Sequence, residues 1–146
     1  MTIICVKLPK MKNYRWTGKV YFADTDAAGV VHHSQYLRWL EAARIDFFEA
    51  LGFSYVTLQA QRVGFVPHRI QAQYLLPLRF GDCFEVSVEF QRLRKASLRL
   101  KQVLFVNARR HYQAEIDFAC MDEAVWKIRS LPDDLALALK KFMDTP

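Results

Sequence analysis

Asp24 and Asp26 stand one residue apart, directly before the small-residue run Ala27-Ala28-Gly29, and the chain then enters a long amphipathic stretch from Ser34. Aspartate is ionised at neutral pH, so it can attack an electrophilic carbonyl, or activate a water that does, without a separate base. A helix start presents unpaired N–H groups and the positive end of a dipole, which suits the negative oxygen formed on such a carbonyl. The N–H groups near His33 are the expected donors. Small residues between carboxylate and helix let the backbone approach a ligand closely. The pair also has a structural reading, since Asp favours Asx-turns and helix caps. Spacing alone does not choose between the two.

A second cluster, Arg92, Arg94, Lys95, Arg99 and Lys101, spans a predicted turn between strands, with Arg109 and Arg110 further on. Arginine forks and a lysine point charge can hold phosphate oxygens; a solvated hairpin is the plainer reading. The net charge of +6 suits an anionic partner or simply a soluble basic surface. Nucleic acid calls for a longer basic track with interleaved aromatics, and no recognition helix is evident. His32 and His33 are adjacent and lack the spacing or companion ligands of a zinc site, while His68 and His111 read as strand residues. No G-x-S-x-G, phosphate loop or dinucleotide fingerprint occurs.

Cys5, Cys83 and Cys120 are far apart and form no CxxC, which argues for a reducing compartment. Cys83 and Cys120 are expected to be small buried hydrophobes. No apolar run approaches the roughly 18 residues of a membrane span, and residues 1–5 are too short for a signal-peptide core. A cytoplasmic protein is the expectation.

The length of 146 residues fits a single domain over 1–146. Residues 1–13 read as a loosely held arm, with Met11 an alternative start. Residues 15–23 alternate as a strand with Trp16, Val20 and Phe22 on one face. From Ser34 the period turns helical, with Tyr36, Leu40, Ala43, Phe47 and Leu51 on one stripe, Ser34 or His33 a candidate cap and Gly52 a natural stop. A short second helix falls within 53–64. Strands are predicted at 65–76, 83–93, 96–106 and 110–121, the last three as an antiparallel meander, then an extended piece at 126–130 and a helix over 132–142. The α+β order, with one apolar helix early, implies an antiparallel sheet curled around that helix. Its unprotected edge calls for dimerisation.

The run Asp24-Thr25-Asp26-Ala27-Ala28-Gly29-Val30-Val31, with Tyr36, Glu41 and Arg44 downstream, resembles the 4-hydroxybenzoyl-CoA thioesterase family of hotdog-fold proteins. Phe65-Val66, the Pro77 to Gly81-Asp82 turn and Leu131-Pro132 extend the likeness over roughly residues 16–142. It is similar to Tol-Pal-associated acyl-CoA thioesterases and to cyanobacterial 1,4-dihydroxy-2-naphthoyl-CoA hydrolases. The resemblance implies a hotdog fold, a five-stranded antiparallel sheet around the long helix with a C-terminal helix. It also implies a homodimer or homotetramer with active sites at the dimer interface. The catalytic aspartate falls on Asp26 and the carbonyl-polarising amide on His33. Many relatives carry Tyr at position 32 or 33, so only the backbone role transfers. Contacts to nucleotide phosphates fall near Arg92, Arg94, Lys95 and Ser97.

The expected activity is hydrolysis of an aromatic acyl-CoA, with 1,4-dihydroxy-2-naphthoyl-CoA of phylloquinone and menaquinone biosynthesis the leading substrate. Short aliphatic or hydroxybenzoyl thioesters are the alternatives. No metal or redox cofactor is called for, because a thioester is already activated and coenzyme A is part of the substrate. From another class, the chain reads as a non-catalytic module binding acyl carriers or anionic ligands.

Overall fold

Apolar side chains at helical spacing make the central element. The computed structural model describes residues 14–145, and in it α1 runs Gln35–Ala50. Tyr36, Trp39, Leu40, Ala43, Phe47 and Phe48 are all buried on it, a stripe wide enough to face the core from two sides. Leu51, expected to end the stripe, is half-buried just past the helix. Gly52 then takes φ +98°, the left-handed conformation that a helix stop favours and that glycine adopts freely. Ser34 does not cap the start: its own backbone is helical and its side chain makes no capping bond.

The strands are β1 (Arg15–Lys19), β2 (Val63–Tyr74), β3 (Cys83–Ser87), β4 (Glu89–Leu93), β5 (Ser97–Val106), β6 (Arg109–Asp122) and β7 (Lys127–Ile128). With α2 (Tyr55–Ala60) and α3 (Asp133–Asp144) they complete the order. The sheet path is β1-β3-β5-β6-β2, all antiparallel, so the five-stranded sheet curled around α1 is as expected. β4 continues β3 after a break at Val88 and pairs only with β5, and β7 pairs with the end of β6. The predicted strand over 83–93 is therefore two pieces. That break, with register shifts at Pro67/Arg69, Phe90/Arg92 and Leu104/Phe105, bends the sheet around the helix. Asn107 and Ala108 take positive φ (49° and 62°) and turn the β5–β6 hairpin tightly.

Two further expectations need correction, and one is not tested. β1 ends at Lys19, so Phe22 does not share a strand face with Trp16 and Val20. It sits instead in a 3-10 turn, Phe22–Asp24, 74% exposed and stacked on Phe80 at 3.9 Å. Cys83 is exposed whereas Cys120 is buried. The cause is parity: Cys83 and Glu85 point outward on β3, and Phe84 and Val86 point in. The loose arm over 1–13, with Met11 and Cys5, lies outside the described residues.

Two polar ties fix the helix against the sheet. The Trp16 indole donates to Asp46 at 2.8 Å. Gln102, with no exposed surface, donates to the Leu40 carbonyl at 3.0 Å and accepts from the Arg44 guanidinium at 3.0 Å. α3 covers the far end through Phe142, edge-on to Phe47 at 5.0 Å. Among the described residues no helix is long and apolar enough to cross a membrane.

Candidate active site

The two aspartates do different work. Asp24 accepts the Tyr21 N–H at 2.8 Å and so closes the 3-10 turn. Its carbonyl accepts the His32 N–H at 2.8 Å. With the bridge between Thr25 and Val31, this folds the loop back on itself and sets Asp26 beside the start of α1. Asp26 closes a small turn through its backbone and lends one carboxylate oxygen to the Ala28 N–H at 2.8 Å. Its other oxygen takes no hydrogen bond from the described residues. The carboxylate is exposed in the single chain and held at a fixed angle by the Asx-turn.

His33 lies in the turn just before α1, one residue ahead of Ser34 at the N-cap position. Its N–H finds no acceptor among the described residues, although the Gln35 N–H bonds back to the His32 carbonyl at 2.9 Å. The first turn of α1 contains no acidic residue, so nothing in it offsets the positive end of the helix dipole. A free N–H just ahead of a helix, in the same loop as an exposed carboxylate, supplies the two group types that an oxyanion donor and its nucleophile or base require. The imidazoles of His32 and His33 lie 4.2 Å apart, tilted by 33°, and His32 Nδ1 lies 2.8 Å from Ser34 Oγ. The Ser34 N–H also donates to that nitrogen, at 3.2 Å, so the His32 ring, not Ser34, satisfies an orphan donor at the helix start.

Tyr74, absent from the sequence reading as a site residue, anchors this turn. Its hydroxyl donates to the His33 carbonyl at 2.7 Å. The ring packs edge-on against Tyr36 at 5.3 Å and Tyr112 at 4.9 Å. Burial holds the Tyr112 phenol well above its usual range, and its hydroxyl, close to Tyr74, has no hydrogen-bond partner. Three tyrosines from α1, β2 and β6 thus buttress the helix start. The sequence signal for Tyr74 was no more than its place in the predicted strand over 65–76.

The basic candidates gather elsewhere. Arg99 grips Asp117 with two bonds, 2.7 and 2.9 Å, and Arg92 reaches the same carboxylate at 3.2 Å. Arg92, Arg99 and Asp117 are cross-strand neighbours on β4, β5 and β6. The Arg99 fork holds the Asp117 carboxyl below the usual carboxylate range. Arg92 is therefore engaged with protein. Arg94 and Lys95 remain exposed at the hairpin tip, with Ser97 half-buried beside them. The backbone closes there, the Arg94 N–H donating to the Ser97 carbonyl at 2.8 Å.

One chain carries Asp26 and His33 on the two arms of one folded-back loop, and separately Arg92, Arg94, Lys95 and Ser97 around one hairpin. It does not join the two groups. The helix start sits over the row Tyr74, Tyr112, Leu104, whereas the hairpin lies beyond the row Leu93, Leu98, Phe118. Six residues of β5 separate these rows, about 20 Å at 3.3 Å per residue.

The sequence profile of the thioesterase-like superfamily matches residues 20–139. The chain is similar to the acyl-CoA thioester hydrolase YbgC of Escherichia coli, 35% identical over 130 residues, 88% of this chain and 96% of that one. A 1,4-dihydroxy-2-naphthoyl-CoA hydrolase of Thermosynechococcus vestitus is 34% identical over 96 residues, 65% of this chain and 64% of that one. Among solved structures, a hypothetical protein from Thermus thermophilus superposes with TM-score 0.83 at 30% identity, covering 88% of this chain and 98% of that one.

Proposed function

The chain belongs to the thioesterase-like superfamily and is an acyl-CoA thioester hydrolase, and from that premise we propose its catalytic groups, its assembly and its substrate. Asp26 acts on the thioester carbonyl carbon, either directly through an acyl-aspartate anhydride or by taking a proton from the attacking water. The His33 N–H donates to the carbonyl oxygen as it gains charge. The carbon–sulfur bond breaks, coenzyme A leaves as its thiol, and water supplies the hydroxyl of the acid product. The observation that carries this reading is an unpaired His33 N–H among the described residues, in the same folded-back loop as a carboxylate fixed by its own turn.

Arg94, Lys95 and Ser97 hold the nucleotide phosphates, while Arg92 on the same hairpin is held by Asp117. They serve the site of a second subunit. β2 is an edge strand whose outer half, including Ile70 and Tyr74, is exposed. A long bare edge of this kind invites pairing. Antiparallel pairing of two β2 strands about a two-fold axis sets the helix start of one subunit beside the hairpin end of its partner. Dimers of this kind, alone or paired into tetramers, work in the cytosol.

For the acyl group, the leading reading is aromatic, with 1,4-dihydroxy-2-naphthoyl-CoA of quinone biosynthesis the named candidate. It is supported by the likeness to the T. vestitus hydrolase and by the aromatic rings Phe48, Phe65 and Phe118 that wall the cavity beside α1. A short aliphatic or hydroxybenzoyl acyl group is the second reading, because the longer match, to YbgC, names no particular acyl group.

Thiol release measured over a panel of aroyl- and alkyl-CoA esters tests the proposal. Asp26→Asn is expected to lower kcat at least about a hundredfold with the fold intact. Full turnover by that variant would remove Asp26 from the mechanism, and no turnover of any ester by wild type would favour a binding module.

A further inference from the structure

Between α1, α2 and the concave face of the sheet lies a cavity of about 220 Å³. Its walls are apolar, with Ile45, Phe48, Leu58, Phe65 and Leu100 among them, but Arg44 also lines it. That arginine is placed with care. Its guanidinium sits over the Phe118 ring at 4.9 Å, and the fully buried Gln102 accepts one of its N–H groups at 3.0 Å. Among the described residues it forms no ion pair. Glu41, one turn earlier on α1, also borders the cavity but is exposed, so water screens much of its charge. Burial pushes the Arg44 guanidinium down to about 10, which leaves it charged at neutral pH. A charged fork on an apolar wall, oriented by a buried amide and lacking a counter-ion, is costly unless a partner arrives.

We propose that this cavity receives the acyl group of the thioester and that Arg44 reads an acceptor oxygen, carboxylate or phenolic hydroxyl, at the far end of that group. The inference rests on the thioesterase reading above. Arg44 lies roughly 16 Å along α1 from His33, too far for a short acyl group held at its own helix start. In the β2-paired dimer the cavity mouth, at Phe65 and Pro67 on β2, turns toward the partner subunit's Asp26. One fork then serves the site of the other chain.

The test compares kcat/KM for matched pairs of esters: adipoyl-CoA against hexanoyl-CoA, and 4-hydroxybenzoyl-CoA against benzoyl-CoA. A charge-assisted bond to Arg44 makes the oxygen-bearing member of at least one pair better by roughly tenfold or more. The pair that responds tells carboxylate from phenol. Arg44→Met is expected to level the preference and Arg44→Lys to keep part of it, a pattern that a purely structural arginine would not give. If Arg44→Met does not fold, the wild-type ratios and Arg44→Lys decide. Equal rates within both pairs in wild type, or an unchanged preference in Arg44→Met, would overturn the assignment while leaving the thioesterase reading standing. If no ester is hydrolysed, the thioesterase reading falls instead. The cavity is then judged by calorimetric Kd for the same intact esters, with the same ratio required.

Discussion

At the scale of single residues, the group proposed for chemistry is distinct from the groups that hold its loop. Asp24 is spent on its own turn and Asp26 keeps an oxygen free. Tyr74 touches only the His33 carbonyl and neighbouring rings, so it is a positioning residue. Tyr74→Phe keeps the ring and removes one hydrogen bond worth about 0.5–1.5 kcal/mol. The expected result is a drop in kcat of several-fold with KM little changed, read by steady-state kinetics. An equal rise in KM would mean that the hydroxyl meets substrate. Asp117 gives a pH prediction. Its carboxyl is held below the ordinary range in the folded state, so its stabilising effect is complete above the unfolded aspartate value near ~3.9 and fades as pH falls through the folded one. Thermal melts should therefore show Asp117→Asn less stable than wild type at pH 7, with the gap closing toward pH 3. A constant gap would assign the loss to packing rather than charge.

At the scale of elements, α1 fills the core and follows directly on the turn that carries His33, the proposed oxyanion donor. Phe47, fully buried, touches Tyr14, Phe48, Phe90 and Phe142 ring to ring. Phe47→Ala should cost about 3–5 kcal/mol of unfolding free energy, measured by urea denaturation; less than 1 kcal/mol would mean that the aromatic cluster collapses onto the space. This helix was legible in the sequence because a stripe at helical spacing is a local signal. So were the hairpin turn at Asn107 and the aspartate–helix junction. Strand β1 was read too long because Val20 is buried and Phe22 shares its parity, yet the chain turns out of the sheet after Lys19. The Arg92–Asp117–Arg99 row was not legible, since it depends on cross-strand register between residues 18 and 25 positions apart. Tyr74 was missed for the same reason: its partner His33 is 41 residues away.

At the scale of the whole molecule, the two halves of the candidate site sit at opposite ends of one sheet, and the proposed dimer through β2 would join them. This is the central claim, and subunit mixing tests it most directly. Asp26→Asn alone lacks the carboxylate. Arg94→Ala with Lys95→Ala lacks the grip and should raise KM for CoA esters but not for pantetheine esters. In a mixed dimer, one site recovers an intact carboxylate from one chain and an intact hairpin from the other. After exchange of equal amounts, thiol release from a CoA ester at low substrate should rise to about a quarter of the wild-type rate. If the mixture gives only the average of its two parents, the carboxylate and the phosphate grip act within one chain and the shared site is wrong.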